Sequence, residues 1–213
     1  MPRLNHSEII CILDRSGSMQ AIKADAIGGF NSFLDEQLKV PGSASVTVVL
    51  FDNEYEVPVK NVDLKKVEHL NEHTFVPRGG TALLDAIGKT INEVGERLAK
   101  TNESEKPEKV LVCILTDGEE NSSHEFDKCK IKNMIEHQQL IYNWGFVFLG
   151  ANQDSFAQAS SLGIEKNMVA NFEPTPVGTR RANAQMSSMV MSARPRFEPD
   201  PEPRKVPKTR KKT

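Results

Sequence analysis

Residues 8–18 read EIICILDRSGS, an almost unbroken apolar and β-branched run that ends in an acid with two serines following at alternate positions. The run EIICIL is the pattern of a strand covered on both faces, and strands of that kind belong to parallel sheets packed under helices. The chain then leaves a buried strand at Asp14, with Ser16 and Ser18 just beyond. A carboxylate and two small hydroxyls at that position call for a chemical reason.

Working outward, residues 19–39 (MQAIKADAIGGFNSFLDEQLK) place Met19, Ile22, Ala26, Ile27, Phe30, Phe33, Leu34 and Leu38 at three-to-four spacing. That spacing predicts one long amphipathic helix. Gly28 and Gly29 inside it cost roughly 1 kcal/mol each in helix propensity and are read as close packing against the sheet. SASVTVVLF (43–51) and YEVPVK (55–60) are strands joined by the tight turn DNE, hence antiparallel neighbours, and Pro58 sends the second to the sheet edge. A helix is predicted over 81–100, with Leu84, Ile87, Ile91, Val94 and Leu98 on one stripe, and a buried strand over 109–117 (KVLVCILTD). Ser122 with Glu125 forms a capping-box pattern that opens a helix running to about Tyr142. NWGFVFLG (143–150) is a further strand, Asn152 is placed to cap a helix ending near Gly163, and MVANF (168–172) is a weaker strand. A last amphipathic stretch, carrying Ala182, Met186, Met189 and Val190, predicts a helix over 176–193 packed on or beside the domain of residues 1–175.

Alternating strands and helices predict an α/β fold, a doubly wound and mostly parallel sheet with helices on both faces and one antiparallel hairpin. Residues 194–213 hold eight basic and three acidic side chains among prolines and a single Phe197, too little apolar area to offset the entropy of ordering. They read as an extended basic tail on an acidic body of 19 basic and 26 acidic residues. Charge therefore gives the body no reason to bind nucleic acid; that role, where it exists, falls to PRKVPKTRKKT, which otherwise serves as a solubilising tail. No apolar run approaches the roughly 18 residues of a membrane span. MPRLNHSE lacks the apolar core of a secretory signal, and three cysteines at Cys11, Cys113 and Cys129 suit reduced thiols, so the expected location is the cytoplasm.

Ligands of open α/β sheets bind beyond the carboxyl ends of the strands. The sequence delivers Asp14, Ser16 and Ser18 there, Thr81 from RGGTALLD, and Thr116 and Asp117 from TDGEEN. Oxygen donors with few carboxylates suit a hard cation such as Mg²⁺, with Mn²⁺ or Ca²⁺ as alternatives. Neutral hydroxyls leave such an ion undercharged, so an acid from another molecule is its natural further ligand. Gly79, Gly80 and Gly118 allow the backbone to turn sharply beside the ion. Each residue taken singly has a plainer reading: Asp14, Ser16, Ser18 and Thr81 as helix caps, Asp117-Gly118 as a turn. Glu119 and Glu120 read as solvated loop acids. Arg15 either meets a partner's acid or points to solvent.

DRSGS with GGTAL and TDGEEN resembles the metal-ion-dependent adhesion site of von Willebrand factor A domains, whose first element is DxSxS, over roughly residues 8–172. The resemblance implies that Asp14, Ser16, Ser18, Thr81 and Asp117 ligate the ion, some through water, and that the sheet has six strands with one antiparallel edge strand. It also implies a non-catalytic module, most like stand-alone intracellular bacterial or phage members, which bind a protein's Glu or Asp and often work alongside AAA+ ATPases. Two competing classes stand against it: an enzyme, and a nucleic-acid-associated von Willebrand A protein that uses the basic tail PRKVPKTRKKT. A phosphoesterase built on Asp14, Asp52 and Asp117 lacks a general acid, because Ser16 stands where such enzymes carry a second Asp. Nucleotide binding lacks both GxxxxGKS and GxGxxG. His69 and His73 in HLNEH, at i and i+4, read as solvated rather than metal-bound, Trp144 as structural, and the Met186, Met189 and Val190 stripe as a packing face.

Overall fold

From Ile9 to Leu13 no side chain is more than 2% exposed, so this segment needs cover on both faces. The computed structural model of the chain, which describes residues 2–151, 155–173 and 175–195 (main chain only at 176), places it in β1 (Arg3–Asp14) near the middle of the sheet. The other strands are β2 (Ser43–Phe51), β3 (Tyr55–Asp63), β4 (Pro107–Thr116), β5 (Gly145–Gly150) and β6 (Val169–Asn171). They form one six-stranded sheet in the order β3-β2-β1-β4-β5-β6, parallel except for β3, which lies antiparallel on β2 at the edge that Pro58 predicts.

Side chains alternate across β1 into two cores. Ile9, Cys11 and Leu13 face α1 (Lys23–Gln37) and α5 (Pro176–Ala193). Ile10 and Ile12 face α2 (Leu83–Lys100), α3 (Lys128–Tyr142) and α4 (Ser155–Ser161). Strand order runs one way from β1 through β2 and the other way from β4 through β6, so the chain reverses direction between β1 and β4. The crevice at that reversal is bounded by the carboxyl ends of β1 and β4, the place where such sheets hold ligands.

Three helix starts and one packing contact differ from the sequence expectation. Residues 17–22 wind as a 3₁₀ turn, with Met19 N–H donating to Ser16 O at 3.1 Å, and the α-helix begins only at Lys23. Gly29 packs not on the sheet but on α5, where a Cβ would collide with Asn183, while Gly28 faces open space. α2 starts at Leu83 with no side-chain cap from Thr81. α3 starts at Lys128, capped by Asp127 Oδ1 accepting from Lys130 N–H at 2.8 Å, because the N–H groups of residues 122–126 that a capping box needs are bonded elsewhere. Asn152 and residues 196–213 lie outside the described residues. α4 ends before Gly163, at φ +79°, as its sequence predicts.

Helix α5 docks through Ala182, Met186 and Val190, all buried, with Met189 packed beside them. Burying Met186 and Val190 contributes roughly 3–6 kcal/mol, which outweighs the about 1–3 kcal/mol cost of Asn183 Oδ1, a buried oxygen without a partner among the described residues. Arg194, counted with the tail by composition, belongs to the body: it is 5% exposed and its Nη1 donates to Gln37 O at 3.0 Å. Trp144 is buried and stacks on Phe146. Cys11 and Cys113 are buried neighbours across β1 and β4, and Cys129 is exposed.

Candidate metal centre

Asp14 closes β1 with no exposed surface. Its Oδ1 accepts the Ser16 N–H at 2.7 Å and its Oδ2 accepts the Thr116 hydroxyl, from the end of β4, at 2.6 Å. Ser16 Oγ lies 3.1 Å from Ser18 Oγ, and the Ser18 hydroxyl donates to Asp117 Oδ1 at 2.7 Å. Thr81 completes the group from the segment before α2. A Cβ at Gly118 would stand 2.8 Å from Thr81 Oγ1 and 3.6 Å from Asp14 Oδ2, so both oxygens border the same glycine. The fold thus brings Asp14, Ser16, Ser18, Thr81 and Asp117 to one end of the sheet, astride the β1–β4 crevice.

The electrostatics of this cluster fit a cation. Burial pushes the Asp14 carboxyl up to about 6 against the hydrogen bonds of Thr116 and Ser16, and the charge of Asp117 adds to the rise. Burial raises the Asp117 carboxyl as well, against the Ser18 hydrogen bond. Neither acid has an ion-pair partner among the described residues. Glu8 and Asp52, also buried, do: Glu8 pairs with Arg97, and Asp52 with Arg15 and Arg78, while buried Asp85 instead accepts three backbone N–H groups. Two uncompensated carboxylates beside three hydroxyls form an all-oxygen set suited to Mg²⁺-like ions, which need only one or two carboxylates. No group of three or more His, Cys, Asp or Glu side chains with metal-binding geometry occurs among the described residues, and His69 instead meets Asp35 at 3.1 Å on the surface.

Residues that read as ordinary in the sequence build the surroundings. DNE is more than a turn. Asp52 Oδ2 accepts from Arg15 Nε at 2.9 Å and Arg78 Nε at 2.8 Å, and its Oδ1 accepts the Glu54 N–H at 2.7 Å. Burial acts to raise the Asp52 carboxyl, but the Arg78 hydrogen bond, the Glu54 N–H and the two guanidinium charges hold it below its usual value. Asn53 Oδ1 accepts the Gly80 N–H. Arg15 neither meets solvent nor stands free for a partner: it is 5% exposed and its fork also reaches Glu56, Nη1 bonding Oε2 at 2.8 Å and Nη2 making an ion-pair contact with Oε1 at 2.7 Å.

Glu120 is not a solvated loop acid either. It accepts from Leu84 N–H, Ser122 N–H, Ser123 N–H and the Ser123 hydroxyl. Asp85 on α2 answers it by accepting the N–H groups of His124, Glu125 and Phe126 at 2.9–3.0 Å. Asn121 Oδ1 then accepts the Thr81 N–H at 2.9 Å. This reciprocal exchange fastens the loop carrying Asp117 to the start of α2. The sequence did hold one signal for Asp52: SVTVVLFD repeats the pattern of IICILD, an apolar run closed by an acid.

A cavity of about 810 Å³ lies at the other end of the sheet between α2 and α3, lined by Leu98, Val110, Met134, Tyr142 and Trp144 among others. Its lining includes none of Asp14, Ser16, Ser18, Thr81 and Asp117.

Residues 8–178 match the profile of the von Willebrand factor type A domain. No curated protein sequence matches the chain at a significant level. Among solved structures, the vWF domain of the type V pili tip protein Mfa5 from Porphyromonas gingivalis superposes with a TM-score of 0.62 at 12% identity, covering 90% of this chain and 97% of that one. Manganese-loaded TRAP protein from Plasmodium vivax gives 0.58 at 14% identity, with 85% and 72% covered. Proximal thread matrix protein 1 from the mussel byssus, solved with a zinc-occupied MIDAS motif, gives 0.58 at 14% identity, with 87% and 46% covered. The chain spans 43% of the length of a further match, the von Willebrand factor type A protein from Catenulispora acidiphila. At these identities the neighbours speak for the fold alone. With the profile covering most of the sequence, the chain belongs to the von Willebrand factor type A domain family.

Proposed function

We propose that this protein is a divalent-metal-dependent protein-binding module, with Asp14, Ser16, Ser18, Thr81 and Asp117 holding the ion. The observation that carries the reading is the pair Asp14–Asp117: two carboxylates brought together in partial or full burial, linked through serine hydroxyls, with no cation of the described chain to balance them. When bound, Mg²⁺, or Mn²⁺ or Ca²⁺ in its place, supplies an open coordination position with residual positive charge. The chain's own residues orient and exclude. Thr116 and the Ser16 N–H fix the Asp14 carboxylate, and Ser18 fixes that of Asp117. The partner supplies a Glu or Asp side chain. We place the module in the cytoplasm as an accessory subunit of an assembly, with an AAA+ ATPase as a candidate partner. No described helix is long and apolar enough to cross a membrane.

The role is binding rather than turnover. Asp52, the third acid of the phosphoesterase alternative, is spent on two guanidinium groups. Affinity capture from an extract of the source cells, with wild type and Asp14→Ala baits and with Mg²⁺ or EDTA, tests the proposal. The expected partner is retained by wild type with Mg²⁺ alone, and substitution of one acid in that partner releases it. An identical set of captured proteins in all four conditions overturns it.

A further inference from the structure

We infer that Asp52 is a positioning residue of the metal centre: acting through Arg15 and Arg78, it sets the spacing of the two loops that deliver Ser16, Ser18 and Thr81. The inference rests on the metal-binding reading above and goes beyond it, because Asp52 is not itself among the proposed ligands.

Asp52 directly follows β2, and its side chain is 2% exposed. One oxygen, Oδ2, takes a guanidinium from each loop: Arg15, which stands between Asp14 and Ser16, and Arg78, three residues before Thr81. Its backbone carbonyl accepts the Ala82 N–H at 3.0 Å, so the same residue holds the Thr81 segment on both sides. The two loops are laced directly as well, Arg78 N–H to Arg15 O at 2.8 Å and Gly17 N–H to Gly79 O at 3.1 Å. Between the anchors, Gly79 sits at φ +66° and Gly80 follows. Two glycines in succession give the segment little stiffness of its own, so the location of Thr81 depends on its ties: Asp52 to Arg78 and Ala82, beside those of Asn53 to Gly80 and Asn121 to Thr81. Planar forks pre-organise better than ammonium groups at such a shared acceptor, which suits arginine at both positions.

A buried ion pair that serves stability alone is the competing account, and so is a through-space effect of charge on the ion. Arg78 separates all three. It is 47% exposed in its side chain, so Arg78→Ala spares the core and the Arg15–Asp52 pair. Removing a positive charge beside a cation site favours the cation through space, and a purely structural pair leaves the affinity of the folded protein alone. Positioning alone predicts a loss.

The probe is Mn²⁺, titrated against the full chain and followed by the electron paramagnetic resonance signal of the free ion, at a temperature where circular dichroism shows each variant folded. Disturbing residues that orient metal ligands typically costs 10–100-fold in affinity. Asp52→Asn is expected in that range and Arg78→Ala at about the lower end of it. Combining them is expected to cost little more than Asp52→Asn alone, because both cut the same tie. Hydrogen exchange at the amides of residues 79–82 is expected to rise in both variants without metal. Unchanged or tighter Mn²⁺ binding by Arg78→Ala overturns the inference, even where Asp52→Asn fails to fold. A wild type that binds no Mn²⁺ overturns the metal-binding reading and this inference with it, whereas wild-type binding left intact by both substitutions overturns this inference alone.

Discussion

Replacing Asp14 by Asn is expected to stabilise the metal-free protein at neutral pH while abolishing its response to metal. The carboxyl is raised from 3.8 to about 6, chiefly by burial. A raised acid favours the protonated folded state, so its contribution is fully present below the unfolded value and is lost as pH rises through about 6. Some two pKa units at 1.36 kcal/mol each make the ionised carboxylate cost the metal-free fold about 3 kcal/mol above that range. Asn carries no such cost. Its Oδ1 keeps the Ser16 N–H, and its amide donates to Thr116 Oγ1, whose own proton turns to Gly118 O, 3.2 Å away.

For a chain of this length, 1 kcal/mol moves the melting point by about 2–4 °C, so about 6–12 °C is the upper value. The assay is thermal unfolding by circular dichroism in EDTA from pH 4 to 8, read as the difference between variant and wild type so that other acids cancel. The difference is expected near zero at pH 4, growing to full size by pH 7. Saturating Mg²⁺ should raise the wild-type melting point and leave Asp14→Asn unmoved. A variant that melts below wild type in EDTA at pH 7.5, with a difference independent of pH, refutes the reasoning.

Asp85→Asn is expected to cost about 1–3 kcal/mol in urea unfolding, because the amide nitrogen meets one of the three N–H groups that the carboxylate accepts. The Asp85 carboxyl feels burial first, but the three N–H bonds and Lys89 prevail and lower it, so the wild-type advantage is present above about pH 4 and fades as pH falls further. Gly29→Ala is expected to destabilise by about 1–3 kcal/mol through its collision with Asn183 on α5. Gly28→Ala, with open space at the new methyl, should gain about 0.5–1 kcal/mol of helix propensity, and equal effects at the two positions would remove the packing argument.

How much of this was legible in the sequence depends on whether a residue's role is set by its neighbours along the chain. Ile9–Leu13 carry their own demand for burial, and Pro58 its own exclusion from a sheet interior, so strands, edge and the order of elements could be read directly. Asp14, Ser16 and Ser18 share one short stretch, Asp117 follows from a strand end, and Thr81 comes with the GGTAL motif before α2. What escaped is the set of acids whose partners are distant. Glu120 looked solvated because Leu84 N–H is 36 positions away, and the capping-box pattern of Ser122 and Glu125 lost to Asp85, which reaches across from α2 to take the competing N–H groups. Sequence shows that an acid is present, not which donor the fold will hand to it.

Three acids stand at the carboxyl ends of adjoining strands, Asp52 at β2, Asp14 at β1 and Asp117 at β4, and their different surroundings explain why the metal reading attaches to two of them. Arg15 follows Asp14 directly, so it is the cation with the shortest route to that carboxylate. A guanidinium lodged there would cancel the negative charge and fill the space where an ion belongs. The fold sends Arg15 the other way: Asp52 and Glu56 together offer it two carboxylates, and the Arg15 N–H is fixed to Phe51 O at 2.8 Å. Asp52 therefore holds the loops in register and also draws a competing cation away from Asp14. Among the described residues no cation answers the charge left at Asp14 and Asp117, and that charge is what a bound metal ion would meet.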